Sequence, residues 1–505
     1  MTTALSPSRA RFIWLARALQ ILAALALALV LARALALWAA DPLLGYANNF
    51  DQIRATRVFG LKPRDSGKEI HAGTRERPWR YYIQADHWHW PGYPSSDSLV
   101  KVVQVVAMKM FSDSHRVMDI KVAGATLLIA WLTGIVWIFA RLWSHPASAF
   151  GFALWCGIAA DPINLLFLNT LYAEFSAFMA ATLLVGVLWL WLENKLSTRR
   201  TLLVGAMLVL FLSIHRVQYM FLGLALLPVA WMIGRIGRRE GPGIAHRRRV
   251  LACSAALVVI CVVPIAISQG TLKQTDFVKM LLAVNRTDTV LDAMLPVSEH
   301  PQAMLKTLKL PATCQSLAGR NWYATTVEQI EAQCPGLLTL PLSRIARAVI
   351  LEPRIIAVIV RGITENHRGF LLGYLGQVEG RNLWSITNVD GFAVWSLNGA
   401  IRALPAWGAE CLIWIFVAGP FVSSALLYAA GAHRWAVVFA MPGVLFSYSL
   451  FSSIFGDGYV EIERHAMLCF SFGTLFLILL LAGACSWLLE DRRVKTGIAD
   501  TRPRI

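Results

Sequence analysis

The sequence predicts an all-α polytopic membrane protein with about ten transmembrane helices and two large extracytoplasmic loops carrying interfacial helices. Three observations predict it. Of the 505 residues, 57% are apolar and 15% charged, with a mean hydropathy of +0.55. Runs of about 20 apolar residues follow one another, the length needed to cross the hydrocarbon core. Basic residues recur between these runs, so part of the net charge of +17 follows from topology. They are scattered, and no nucleic-acid module accompanies them, so nucleic acid is not expected as a partner.

The elements follow in order. Ser6 to Phe12, with Arg9 and Arg11, lead into the first apolar run. No convincing small-residue cleavage site precedes Asp41, so an uncleaved first span is expected rather than a signal peptide. The spans are expected at roughly 13–38, 118–141, 147–160, 172–193, 201–214, 217–234, 250–268, 409–430, 435–454 and 465–488. The third and fifth are short for full crossings, and their missing turns are expected near Asn164 and His215. Arg141, Lys195 with Arg199 and Arg200, Arg235 to Arg249, Arg434, and Arg492-Arg493-Lys495 share a side with Arg9 and Arg11. The positive-inside bias then places both termini in the cytoplasm, in a multi-pass protein of the inner (plasma) membrane. The chain divides into an N-terminal transmembrane module, 1–267, with a first outer loop over 39–117. An extracytoplasmic loop domain, 268–408, and a C-terminal transmembrane module, 409–505, complete it.

The first outer loop mixes basic and aromatic residues, with Arg54 to Arg80 followed by Trp79-Arg80-Tyr81-Tyr82 and His87-Trp88-His89-Trp90. Basic residues there run against the positive-inside bias, so an anionic partner and lipid headgroups are both open readings. His87 and His89 lack a nearby third ligand, and interfacial aromatics account better for that segment. Ser95-Ser96-Asp97 can cap a helix, and Leu99 to Phe111, with Lys101 and Lys109 among apolar residues, reads as a helix lying in the membrane surface. In the second loop Pro301 to Leu310, Thr325 to Ala332 and Leu342 to Arg361 have helical character. The last, interrupted at Glu352-Pro353-Arg354, reads as interfacial. An extra span there is the alternative, and it would put the basic C-terminus outside. Six of the eight cysteines lie in apolar runs and act as small hydrophobes. Cys314 and Cys334, in the polar loop, are expected to pair as a disulfide, with two free thiols as the alternative.

Five polar clusters gather at the expected outer face. Asn169-Thr170-Leu171-Tyr172-Ala173-Glu174 sits between two apolar runs, where an ionisable group is expensive and reads as functional; a polar turn that only reverses the chain is the rival. In Asn48-Asn49-Phe50-Asp51-Gln52-Ile53-Arg54, a carboxylate with neighbouring amides and an arginine suits a general base. Ser213 to Tyr219 presents His215, Arg216 and Gln218; the Arg216 fork suits phosphate oxygens, and a snorkelling arginine is the alternative. Gly456 to His465 concentrates Asp457, Glu461, Arg464 and His465 at a span mouth, more polarity than packing explains. His300-Pro301 with Gly319 to Tyr323 is a weaker signal. No P-loop, GxGxxG or nucleotide-sugar DxD is present, so a lipid-carried substrate fits better than a nucleotide-activated one.

These pieces together resemble the integral-membrane glycosyltransferases of the GT-C type, and in particular bacterial hexose transferases of cell-surface glycan synthesis. The resemblance is carried by Asn48 to Arg54, Tyr93-Pro94-Ser95-Ser96, Asn169 to Glu174, and Gly456-Asp457-Gly458 with Glu461, Arg464 and His465. It implies a polyprenyl-phosphate-linked sugar as donor, inverting transfer to a glycan acceptor, and a catalytic carboxylate at the position of Asp51. Arg216 and Arg464, which stand where lysines are expected, would meet the charge of the leaving phosphate. Asn49, Arg54, Asn169, Tyr172, Glu174, His215, Gln218, Asp457, Glu461 and His465 would complete the substrate-binding set. A divalent metal bridging carboxylate and phosphate is compatible with this set but not required by it. Membrane lipids are the remaining expected partner. A flippase or transporter would instead call for polar residues in mid-span, and a glycan polymerase or ligase shares the large loops.

Overall fold

The computed structural model describes residues 7–45, 56–64, 78–88, 95–112, 117–238, 259, 261–267, 276–365, 377–378, 404–459 and 462–495. Asn49, Asp51, Arg54 and Glu461 lie outside the described residues, as do the side chains of Asp457 and Arg464. Among the described residues, eight helices are long and apolar enough to cross a membrane.

Helix α1, Pro7–Ala39, is rich in Ala and Leu and carries proline only at its first position, where no backbone donor is needed. It stops before Asp41-Pro42, since a residue preceding proline is driven out of helical geometry. The first loop then holds structure that its sequence does not advertise. Strands β1 (Leu44–Gly45), β2 (Leu61–Pro63), β3 (Tyr81–Gln84) and β4 (Val117–Asp119) are too short for alternation to show. β2, β3 and β4 form a three-stranded antiparallel sheet with Lys62 opposite Ile83 and Tyr82 opposite Met118. Phe59, Leu61, Trp79, Tyr82 and Met118 build a small core there with Val105 and Met108 of α2, Asp97–Met110. The helix expected here is therefore present, with an unexpected face toward the protein. Its polar residues Asp97, Lys101 and Gln104 are buried against the protein, and Leu99, Val103, Met110 and Phe111 face outward.

Helix α3, Ile120–Leu142, crosses back, and α4 follows over Pro146–Ala159. The span expected at 147–160 is short, as its sequence suggests: fourteen residues reach about 21 Å against the roughly 30 Å of a hydrocarbon core, and Pro162–Leu165 carries the chain on toward the Asn169 turn. Pro146 fixes its start and Asp161-Pro162 its end, and it packs on α1. Helix α5, Glu174–Leu192, is buried on nearly every side and forms the axis of the bundle. Helix α6, Thr198–His215, returns, and the next span starts as a 3-10 turn, Val217–Tyr219, before settling into α7, Leu227–Arg238. The span expected at 250–268 lies mostly outside the described residues, of which 261–267 are helical.

The second loop contributes α8 (Asp276–Thr287), α9 (Pro301–Leu308), α10 (Val327–Gln333), α11 (Leu342–Leu351) and α12 (Arg354–Glu365). Glu352-Pro353 splits the apolar stretch into α11 and α12, and among the described residues neither is long enough to cross. A disulfide joins Cys314 and Cys334, with their Cα atoms 4.5 Å apart. β5, Gln377–Val378, pairs with β1. Helices α13 (Ala406–Ala429), α14 (His433–Asp457) and α15 (Met467–Lys495) close the bundle, and α15 packs on α4.

Lipid tails are as apolar as leucine, so these helices are held by close fit rather than by exclusion of water. Gly473 shows it: a Cβ there would stand 2.3 Å from the ring of Phe416. One end of the bundle is locked by Glu193, which holds the Ser148 hydroxyl and lies 3.3 Å from His145 Nε2. There Arg434 also donates to the Trp191 carbonyl at 3.0 Å. Glu174, Arg216, Gln218 and His465 lie at the other end.

Candidate functional site

Glu174 opens α5, where a carboxylate is favoured by the helix N-terminus. It is 1% exposed, and it holds the guanidinium of Arg216, the residue at which α6 gives way to extended backbone. Two residues on, Gln218 donates its amide Nε2–H to His465 Nδ1 at 3.1 Å, which leaves the His465 proton on Nε2. The Tyr448 hydroxyl donates to the Gln218 carbonyl at 2.7 Å and accepts from Phe221 N–H at 3.1 Å. The interrupted span start is thereby tied to α14 and to the turn Ile462–His465. Beside it a small apolar recess lies between Leu212, Tyr219, Leu222, Leu445, Leu468 and Phe472.

A second, fully buried group adjoins the first. Asp97 holds Lys101 with one carboxylate oxygen and accepts from the Ser176 hydroxyl at 2.6 Å with the other. Ser176 also lies 2.8 Å from His215 Nε2. Burial pushes the Asp97 carboxyl upward, but the Lys101 ammonium, then His215 and the bonds from Lys101 and Ser176, hold it below the usual carboxylate range.

The structure thus brings Glu174, His215, Arg216, Gln218 and His465 to one end of the bundle. Asn169 is at that end too, but 1% exposed, and its amide donates to the Leu37 and Leu44 carbonyls at 3.1 Å each. It fastens the turn to the foot of α1. Tyr172 is buried, with its ring 6.1 Å from Phe167. Part of the Gly456 to His465 cluster serves packing. Gly458 has φ +59°, and a Cβ there would stand 2.7 Å from the Asp288 carbonyl oxygen. Tyr459 reaches the Ile359 carbonyl at 3.3 Å. His300 and Asn321 stand at helix starts in the second loop, where Asn321 Oδ1 accepts from Ala324 N–H at 3.0 Å. In the first loop, Arg64 and Arg80 stack on Tyr81, and Arg80 pairs with Asp119 at 3.0 Å, so these cations are engaged within the loop. No three His, Cys, Asp or Glu side chains among the described residues are grouped to hold a metal ion.

Ser176 and Asp97 were not legible as a pair. A lone serine in an apolar run carries no signal, and Ser95-Ser96-Asp97 reads as a cap. Instead Ser96 makes no cap bond, and Ser95 and Ser96 donate to the His215 and Phe211 carbonyls at 2.7 and 2.6 Å. The one available signal was the Asp97–Lys101 spacing of four on an otherwise apolar helix.

A family model described as the YfdI N-terminal transmembrane domain matches residues 10–352 of the chain. No curated protein and no solved structure matches it.

Proposed function

The chain belongs to the family of the YfdI N-terminal transmembrane domain, and from that membership in a family of membrane proteins we propose that it is a GT-C-type glycosyltransferase. It moves a hexose from a polyprenyl-phosphate donor to a surface-glycan or lipid-linked acceptor on the extracytoplasmic face. The observation that carries this reading is the Glu174–Arg216 pair at the head of α5, with Gln218 and His465 beside it. A planar cation and a buried carboxylate suit, in turn, a phosphate and sugar hydroxyls.

In this mechanism Asp51 takes the proton of the acceptor hydroxyl as its oxygen attacks the anomeric carbon from the face opposite the phosphate. The anomeric C–O bond breaks with its electrons on the polyprenyl phosphate, and the configuration inverts. Arg216 and Arg464 meet the developing charge, so the leaving group needs no proton. Glu174 accepts from sugar hydroxyls. Hydroxyls lower in the bundle fit this reading better than transport, since Thr182 and Thr474 donate to the Phe178 and Phe470 carbonyls of their own helices.

The test is transfer of a radiolabelled sugar from polyprenyl phosphate by purified full-length protein. Asp51→Asn keeps the shape and removes proton acceptance, so the rate should fall by about 10²–10⁴. Asp41→Asn is the control, since Asp41 is 71% exposed and 3.6 Å from Arg80, a pair worth little. Near-normal transfer by a well-folded Asp51→Asn protein would sink the assignment.

A further inference from the structure

The buried group at α2 has no part in the chemistry above, yet it adjoins the site on two elements. Ser176 follows Glu174 by two residues on α5, and His215 precedes Arg216 on α6. From α2, Ser95 and Ser96 bind the last carbonyls of α6, and Asp97 binds Ser176. Asp97, Ser176 and His215 are 2%, 1% and 1% exposed.

The hydrogen bonds fix one arrangement. Ser176 has a single proton, and the charged Asp97 oxygen at 2.6 Å takes it in preference to the Ala173 carbonyl at 2.8 Å. His215 Nε2 therefore carries its own proton and donates to the Ser176 oxygen. His215 Nδ1 is left bare, and among the described residues it has no partner. A buried ion pair is a poor way to gain stability, because desolvation offsets the attraction and apolar residues of like volume hold as well. What Asp97 and Lys101 supply that leucines would not is direction. One carboxylate oxygen is held by Lys101, so the other can face only Ser176 and, 4.0 Å off, His215.

We infer that Asp97 is a positioning residue: through Ser176 and His215, together with Ser95 and Ser96, it fixes the turn that carries Arg216 toward the phosphate. This rests on Arg216 being the phosphate contact proposed above. The clamp itself does not, and it can be read without a ligand.

Two measurements on full-length protein in nanodiscs separate the two ideas. The first compares affinities for a polyprenyl monophosphate and for the corresponding polyprenyl alcohol, so that the ratio reports the phosphate contact and the chain cancels. Arg216→Ala should lower this ratio by about tenfold, the effect of one charged hydrogen bond. Ser176→Ala should lower it nearly as far, and the double variant no further, because Ser176 acts through Arg216. Additive losses, or a wild-type ratio in Ser176→Ala, overturn the positioning role. The second measurement is amide hydrogen exchange over residues 213–219. It should rise about tenfold in Ser176→Ala and stay unchanged in Thr182→Ala, whose hydroxyl bonds only its own helix. Asp97→Leu/Lys101→Met removes both charges together, leaves neither buried alone, and should raise exchange in the same segment. Unchanged exchange in both overturns the clamp. Raised exchange in a protein whose wild type does not discriminate phosphate from alcohol upholds the clamp and refutes the phosphate reading instead.

Discussion

Arg216 sits where two demands meet, since it neutralises Glu174 and is the proposed partner of a phosphate. Arg216→Ala leaves Glu174 buried without that cation. Losing one member of an enclosed ion pair costs roughly 3–5 kcal/mol. With 21% of the Arg216 side chain exposed, the expected loss is smaller, on the order of 2–3 kcal/mol. A thermal shift of the purified protein reads it, and an unchanged midpoint would show that Glu174 does not depend on this partner. Asp97 supports a prediction in pH. Its folded value lies below the ordinary one, so its contribution is fully present above the ordinary carboxylate range and is lost as pH falls through the folded value. The unfolding midpoint should hold from neutral pH to about pH 4 and decline below it. In Asp97→Leu/Lys101→Met that decline should shrink. At this scale the sequence was least informative. It showed that Asn169, Tyr172 and Glu174 stand together at an apolar boundary. It could not show that Asn169 is bonded to the end of α1, because that depends on a chain segment more than a hundred residues away.

Helices α5 and α15 were legible because length and apolarity suffice to define a crossing. Helix α4 was legible as a short one, because its composition matches theirs while Pro146 and Asp161-Pro162 limit its length. In α2 the spacing gave the helix but not the face that docks, and the charges turned inward. Close fit between α13 and α15 gives a prediction at this level. Gly473→Ala drives a methyl against Phe416, whose ring packs on Phe446 at 5.4 Å, and should destabilise by about 1–3 kcal/mol. Phe416→Leu in the same chain should recover part of that loss. If the two substitutions are additive, the contact is not what limits the crossing.

Across the whole molecule, polar groups far apart in sequence come together at one end, from residue 37 through 97, 174 and 216 to 465. The opposite end is held by Glu193 and Arg434. Reporter fusions after residue 80 and near residue 320 should register the non-cytoplasmic side, and fusions near 240 and after 495 the cytoplasm. A cytoplasmic signal near 320 would invert the arrangement and remove the proposed enzyme with it. The gathering of Glu174, Arg216, Gln218 and His465 at one end was legible, because each stands at the end of an apolar run. The sheet of the first loop was not, because strands of three and four residues carry no period to read.

The brevity of α4 has a consequence for how this protein is made. A nascent chain that has emerged only as far as Leu165 offers the insertion machinery a segment too short to be retained as a crossing by itself. Helix α5 supplies what is missing, being uncharged after Glu174 and apolar but for Ser176 and Thr182. The two should therefore enter the bilayer as a hairpin, with the Asn169 to Glu174 turn drawn in between them. The stretch that later meets the proposed substrate would be delivered to its depth by the helix that follows it, during synthesis rather than after.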